Sequence, residues 1–297
     1  MNPSPTIGLL YAGEMGASLA TVLRARGLRI VSTVKDRSTA TAQRCQTVGI
    51  ELLSSIAEVV AASDVLFSLV PPGEAMRLAQ IVGPILSAAR PGIIYVDANS
   101  IGPELAIDIA EFIRGNGGDF VDGAIHGQAA RFQTAATFYL SGKRADEIAS
   151  LFGERGPRLR VLGSAPGAAS LMKMLLGGMS KGLCALFLEM ATLAQRRGAA
   201  DELMAEASHF YPGVMEAVQR MLPTYPLHAR RRAQEMTELE KTALASGQQS
   251  LIISAVRELI EQLAQIDFES ATEPREWHAA RVAQYACEKG LLARQSQ

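Results

Sequence analysis

Residues 6–16 read Thr6-Ile-Gly-Leu-Leu-Tyr-Ala-Gly-Glu-Met-Gly16, and the fold is decided there. The aliphatic run Thr6–Tyr11 has the composition of a buried strand. Gly13 and Gly16 follow it, and Gly16–Arg26 then sets Leu19, Val22 and Leu23 on one helical face, with Gly27 as a stop. Strand, glycine turn and helix in that order open a βαβ unit. Working outward, the alternation continues. Strands are expected at Arg29–Val34, Ile50–Leu52, Asp64–Val70, Ile93–Asp97, Phe120–Ala124, Thr137–Ser141 and Arg158–Leu162. Helices are expected at Thr39–Val48, from Ser54, and at Pro103–Arg114. The run Asp64–Val70, closed by Pro71 and Pro72, is almost wholly apolar, as suits a strand covered on both faces of a parallel sheet.

After Gly163 the pattern changes to helical periods, at Leu171–Arg197, Asp201–Leu222, His228–Ala245, Ser250–Ile266 and Glu273–Leu292. The expected architecture is an α/β Rossmann domain over residues 1–163 followed by an all-α C-terminal domain over 164–297. Composition agrees with a globular chain of this size: 297 residues, 48% hydrophobic and 20% charged. A net charge of −1 gives no electrostatic reason to expect nucleic acid or an anionic membrane as partner. The basic run Arg230, Arg231 and Arg232 fits a solvated helix face. Cys45, Cys184 and Cys287 have neither metal-ligand nor disulfide-framework spacing, so no metal is expected and a reducing compartment, the cytoplasm, is. No basic segment precedes the short apolar run at Ile7–Leu10, as a signal peptide would require. Lys173, Lys181 and Glu189 interrupt the long apolar stretch Leu171–Ala194, so a membrane span is not expected there.

The glycines carry chemistry. In a Rossmann GxGxxG fingerprint the second glycine admits a pyrophosphate to the backbone, the third lets helix and strand pack closely, and the helix N-terminus attracts the phosphate charge. Gly13 and Gly16 fill those two places and Tyr11 fills the first. A dinucleotide loop is therefore read at Tyr11, Ala12, Gly13, Glu14, Met15 and Gly16. The choice of dinucleotide is made at the end of the second strand, at Lys35, Asp36, Arg37 and Ser38. An acid there favours the ribose 2′-hydroxyl of NAD. Arg37 and Ser38, with Lys35 and Arg44, favour the 2′-phosphate of NADP. The excess of donors points to NADP, with NAD as the alternative. Between Val161 and Ser180 the only charged residue is Lys173. It either snorkels to solvent or is buried, and burial would tune it as a general acid/base. Gly177 and Gly178, one turn on, permit close approach by a ligand or a backbone.

Taken in order, these motifs resemble the β-hydroxyacid dehydrogenase superfamily, which contains 3-hydroxyisobutyrate and 6-phosphogluconate dehydrogenases, and most of all its 6-phosphogluconate-dehydrogenase-like branch with a distinct helical C-terminal domain. Gly13-Glu-Met-Gly16 resembles the end of the family's phosphate loop. Leu69, Val70 and Pro71 resemble its proline turn beside the cofactor. Asp97 to Pro103 resembles its first substrate motif, Asp122 to Gln128 its second, and Gly167 to Lys173 the motif that carries its catalytic lysine. The chain departs from the family at Asn99 and His126, which stand where it has serines, and at Gly177, where it has an asparagine. The family's short 3-hydroxy acid therefore does not carry over directly.

The resemblance implies an NAD(P)-dependent oxidoreductase. A hydride would pass between nicotinamide and a hydroxyl or carbonyl carbon of a small, hydroxy-acid-like substrate, with Lys173 as general acid/base. It implies substrate contacts at Asn99, Ser100, His126, Gly127 and Gly177, a further cofactor contact at Asn99, and a homodimer. His126 reads equally as a structural histidine after a strand. His228, Arg231, Glu235 and Glu238 fall near helical spacing and read as a solvated face or a cleft face. Trp277 and Tyr285 read as core or subunit contacts. Two alternatives remain: an imine (C=N) reductase, a branch that usually departs from lysine at this position, and a non-catalytic dinucleotide sensor.

Overall fold

Alternating residues of each strand send their side chains to opposite faces of a sheet, and the first half of the chain uses that alternation to build two cores. The computed structural model describes residues 4–35, 37–154, 156–268 and 277–293. Strands β1 (Ile7–Leu10), β2 (Ile30–Ser32), β3 (Glu51–Leu52), β4 (Val65–Ser68), β5 (Ile94–Asp97), β6 (Asp119–His126), β7 (Thr137–Ser141) and β8 (Arg158–Val161) form one sheet in the order β3-β2-β1-β4-β5-β6-β7-β8. Pairing is parallel from β3 through β6 and between β7 and β8, and antiparallel only between β6 and β7. Ile7, Leu9, Val65, Phe67, Ile94 and Val96 bury one face. Leu10, Leu66 and Tyr95 bury the other.

Helices cover both faces: α1 (Glu14–Ala25), α2 (Thr39–Val48), α3 (Ile56–Ala62), α4 (Ala75–Ala88), α5 (Pro103–Gly115), α6 (Phe132–Ala135) and α7 (Ala145–Ser150). This is the doubly wound Rossmann arrangement expected from the alternation. Helix α4 is not apparent in the sequence pattern, because Pro72 and Gly73 precede it and Pro84 lies inside it. Its Gly83 lets α5 close in: a Cβ there would fall 2.6 Å from the Phe112 ring.

The chain divides into two compact units, Met1–Lys173 and Met174–Gln297, and α8 (Ala168–Arg197) runs from the first into the second. The second unit also holds α9 (Ala200–Phe210), α10 (Pro212–Met221), α11 (Tyr225–Ala245), α12 (Leu251–Leu263) and α13 (Ala279–Glu288). Its core gathers Cys184, Phe187 and Leu188 of α8 with Met236 and Leu239 of α11, Ile260 of α12 and Val282 of α13. The single helix expected at Asp201–Leu222 is broken at Tyr211, whose backbone is not helical, because Pro212 starts a new helix at its first position. Pro226 likewise sits in the first turn of α11, which begins three residues before His228. Of the helix expected at Glu273–Leu292, residues 273–276 lie outside the described residues.

Helix α8 is long and apolar enough, by length and composition, to cross a membrane. Its apolar character has a local use, because one side of it packs into the second core. Trp277 and Tyr285 pack with Phe268 in an aromatic cluster of that core.

Strand β1 is an interior strand, third of eight in the sheet order, and must be approached closely by α3. A Cβ on Gly8 would lie 2.3 Å from Ser63 Oγ, 2.7 Å from Leu66 Cδ2 and 3.0 Å from Val59 Cγ1, all buried. Gly8→Ala is therefore expected to lower unfolding free energy by about 1–3 kcal/mol through overpacking, read by urea denaturation.

Candidate active site

In an open parallel sheet, ligands bind beyond the carboxyl ends of the strands. Here β1, β2, β4, β5 and β6 run parallel, so one edge receives Tyr11, Lys35, Leu69, Val70, Pro71, Asn99, Ser100 and His126.

At the β1 end the loop has the form a pyrophosphate needs. Gly13 is the N-cap of α1, and no side chain caps that terminus. A Cβ on Gly13 would meet nothing within 4 Å, so the backbone is open to a ligand. A Cβ on Gly16 would lie 3.2 Å from the Tyr11 carbonyl oxygen, so the glycine permits α1 to sit against the end of β1. Ala12, Glu14 and Met15 complete the turn. Uncapped helix N–H groups and an open glycine fit a dinucleotide phosphate. Tyr11 has φ +74°, in the left-handed region that costs a residue with a Cβ roughly 1–2 kcal/mol. The Arg37 guanidinium lies over its ring, 3.4 Å from the centroid. Beside Tyr11 is a pocket of about 300 Å³ lined by Thr33, Lys35, Ser55, Ile56 and Ala57. Ser38 is the N-cap of α2, its hydroxyl accepting from the Thr41 N–H. Its hydroxyl is therefore occupied at the helix end. Asp36 lies outside the described residues.

The catalytic candidate is held from beneath by a residue absent from the sequence-based site. Asp122 on β6 is fully buried. Its Oδ2 accepts the N–H groups of Gly167, Ala169 and Ser170 at 2.9, 3.0 and 3.0 Å, and the Ser141 hydroxyl at 3.1 Å. Its Oδ1 accepts the Ser170 hydroxyl at 2.7 Å. The carboxylate thus caps α8 where the helix carries unsatisfied N–H groups and the positive end of its dipole. Gly167 turns the chain into that helix at φ +93°. The second turn of α8 then delivers Lys173, whose Nζ donates to Ser100 Oγ at 2.5 Å across 73 residues of sequence.

Asn99 is the main correction to the expected substrate set. Its side chain is turned inward and only 3% exposed. Its amide N–H groups donate to Ser68 Oγ and Asp97 Oδ2, both at 2.9 Å, and its Oδ1 accepts the Val70 N–H at 2.6 Å. The bonds with Ser68 and Val70 tie the end of β5 to that of β4, the bond to Asp97 is local, and both amide hydrogens are spent within the scaffold. Ser100, next in the chain, is exposed. His126 ends β6, exposed and opposite Thr137. Gly127 lets the chain pass Ala136, whose Cβ would lie 2.7 Å from an added one.

Gly177 belongs to the second unit and has a structural use there. Lys181 Nζ donates to its carbonyl at 3.2 Å and pairs with Glu235 at 2.9 Å. A Cβ at position 177 would lie 3.1 Å from that Nζ. The glycine makes room for the ion pair between buried Lys181 and half-buried Glu235, which Arg231 joins through Glu235. Glu238 pairs with Lys241.

Burial pushes the Asp97 carboxyl up to about 7. Hydrogen bonds from Asn99 oppose the rise, the Asp122 charge adds to it, and the Lys173 charge opposes it. Asp97, Asp122, Ser141 and Ser170 were not marked as site residues. A buried acid demands donors, but the donors come from distant segments.

A Rossmann sheet with a phosphate loop after its first strand defines a dinucleotide-binding protein of the dehydrogenase type. The chain belongs to the family of the NAD binding domain of 6-phosphogluconate dehydrogenase, which matches residues 6–163, over half its length. Residues 194–263 match a second family, described as a domain of unknown function, DUF1932. An uncharacterised 28.5 kDa protein of Methanothermus fervidus is 28% identical over 259 residues, 86% of this chain and 98% of that protein. The cytokine-like nuclear factor N-PAC of Danio rerio is 30% identical over 200 residues, which cover 65% of this chain and 42% of that longer protein. A solved structure described as a conserved protein of unknown function similar to 3-hydroxyacid dehydrogenases is 31% identical, with TM-score 0.72, over 86% of this chain and 96% of that one. The fold is also that of Mycobacterium tuberculosis 3-hydroxyisobutyrate dehydrogenase, solved with L-serine, at 18% identity and TM-score 0.75 over 94% and 98% of the two chains.

Two measurements check the buried carboxyls. The folded state holds the Asp97 proton more tightly than the unfolded chain. Its contribution to stability is therefore full below about pH 4 and is lost as pH rises through about 7. Thermal melts from pH 4 to 8 should show the wild type losing stability relative to Asp97→Asn over that window. The opposite slope would mean that the carboxyl is ionised throughout. Asp122→Ala removes the acceptor of the Gly167 and Ser170 N–H groups and of the Ser141 and Ser170 hydroxyls, while the Ala169 N–H keeps Ser141 Oγ, and buried unsatisfied groups cost about 1–3 kcal/mol each. Urea unfolding should show a loss of at least about 3 kcal/mol.

Proposed function

We propose that the protein is an NAD(P)-dependent oxidoreductase acting on a hydroxyl or carbonyl carbon of a small, hydroxy-acid-like molecule, with Lys173 as general acid/base. The observation that carries this reading is the 2.5 Å contact of Lys173 Nζ with Ser100 Oγ, at the sheet edge that also bears the Gly13–Gly16 loop. The dinucleotide, when bound, supplies or takes the hydride. Lys173 would accept the substrate hydroxyl proton on oxidation and return it on reduction. Ser100, exposed beside that nitrogen, would orient the substrate oxygen, and His126, exposed at the end of β6, would offer a second contact. Asn99 serves the reaction indirectly, by fixing the Val70 backbone beside the phosphate loop. A lysine here favours alcohol–carbonyl chemistry over imine reduction. Arg37 and Lys35 favour NADP over NAD.

A homodimer is part of the proposal. Leu175, Met179, Leu186, Met190 and Leu193 form an exposed apolar stripe along α8 at helical spacing, a face suited to a second copy. Cys45, Cys184 and Cys287 are free thiols, which supports a cytoplasmic location.

Lys173→Met should reduce turnover on a panel of 3-hydroxy acids, aldehydes and ketones by about 10²–10⁴-fold, with NADPH affinity nearly unchanged. Turnover within about threefold of wild type would remove the acid/base role. Tight NADPH binding with no turnover on any panel, imines included, would favour the sensor.

A further inference from the structure

Tyr11 combines two features that are unusual together. It takes a left-handed backbone conformation, which a glycine would adopt at no steric cost, and it occupies the fingerprint position where a glycine is usual. A bulky residue at positive φ is a backbone outlier, and such outliers cluster at ligand sites. Its ring is also in use: Arg37 lies over it at 3.4 Å. Among the described residues the Arg37 side chain makes no ion pair and no side-chain hydrogen bond. The stack is thus the contact that holds it.

Stacking engages the face of a guanidinium and leaves its in-plane N–H groups free. Those N–H groups are the ones that bind a phosphate in a bidentate manner. The ring that carries the arginine lines a pocket with Thr33, Lys35, Ser55, Ile56 and Ala57, at the ends of β1 and β2, where the adenosine half of a dinucleotide belongs. Lys35 adds a second cation to the same rim.

We propose that Tyr11 is a positioning residue for cofactor selection: its ring fixes the Arg37 guanidinium edge-on to the pocket, ready for the 2′-phosphate of NADP. This rests on the NADP reading above. It adds that selectivity depends on the aromatic ring at position 11 as well as on the cation at 37. Without the ring, Arg37 is a mobile surface side chain, and ordering it must draw on phosphate binding itself. NADH, which lacks the 2′-phosphate, gains nothing from the stack.

The test is fluorescence titration of NADPH and NADH with the full chain and with Tyr11→Gly, Tyr11→Leu, Tyr11→Phe and Arg37→Ala. Tyr11→Gly relieves the backbone, so the variant should fold with a melting temperature at or above that of wild type. It should nonetheless lose the NADPH:NADH affinity ratio by about five- to tenfold, the scale of a cation–π contact. Tyr11→Leu should lose the ratio similarly, and Tyr11→Phe should keep it. Using the ratio removes any general gain in pyrophosphate binding from restoring the glycine. If Arg37→Ala abolishes the preference but Tyr11→Gly and Tyr11→Leu retain it, the positioning role is overturned while the NADP reading stands. If wild type binds NADH as tightly as NADPH, the NADP reading fails, and the role of Tyr11 with it.

Discussion

The closeness with which α1 and α3 approach β1 is the constraint on which the sheet's carboxyl edge depends. Strand β1 is paired on both sides, with β2 and β4, and its end carries the loop into α1. Gly8 and Gly16 are where that approach is tightest, against Ser63, Leu66 and Val59 in one case and the Tyr11 carbonyl in the other. With side chains at these points, α1 would stand off from the sheet and its N–H groups would no longer lie over the strand end. The exposure of the α1 N–H groups at this loop is in this sense a packing result.

The other half of the site depends on polar groups brought from far apart. Asn99 ties β5 to the end of β4. Asp122 ties β6 to β7 and to the first turn of α8. Both are buried, and both spend their hydrogen-bonding capacity on the scaffold. What remains at the surface is the short contact of Lys173 with Ser100. Fully satisfied buried networks specify geometry in a way that apolar packing does not.

Much of this was legible in the sequence, because the strands are short β-branched runs bounded by glycine and proline, and all eight occur where the pattern places them. Helix α4 was not legible, since Pro84 lies inside it, and neither was the break at Tyr211, since apolar spacing continues across it. The loop glycines and Lys173 could be read from local spacing. The inward turn of Asn99 could not, because its partners lie on β4. The role of Asp122 could not, because its donors lie at 141 and 167–170. The helix cap at Ser38 and the room that Gly177 leaves for Lys181 are uses that local spacing does not reveal.

The capping of α8 by Asp122 also bears on how the chain can be divided. The match to the dinucleotide-binding family ends at residue 163, ahead of every backbone donor that α8 gives this carboxylate. A fragment cut there would keep all eight strands but leave a charged oxygen facing the interior, attended only by the Ser141 hydroxyl. The sheet would then have to admit water at that point. The covalent boundary of the folding unit therefore lies inside a helix, beyond Ser170, and the lysine travels with the sheet rather than with the helical unit that follows it.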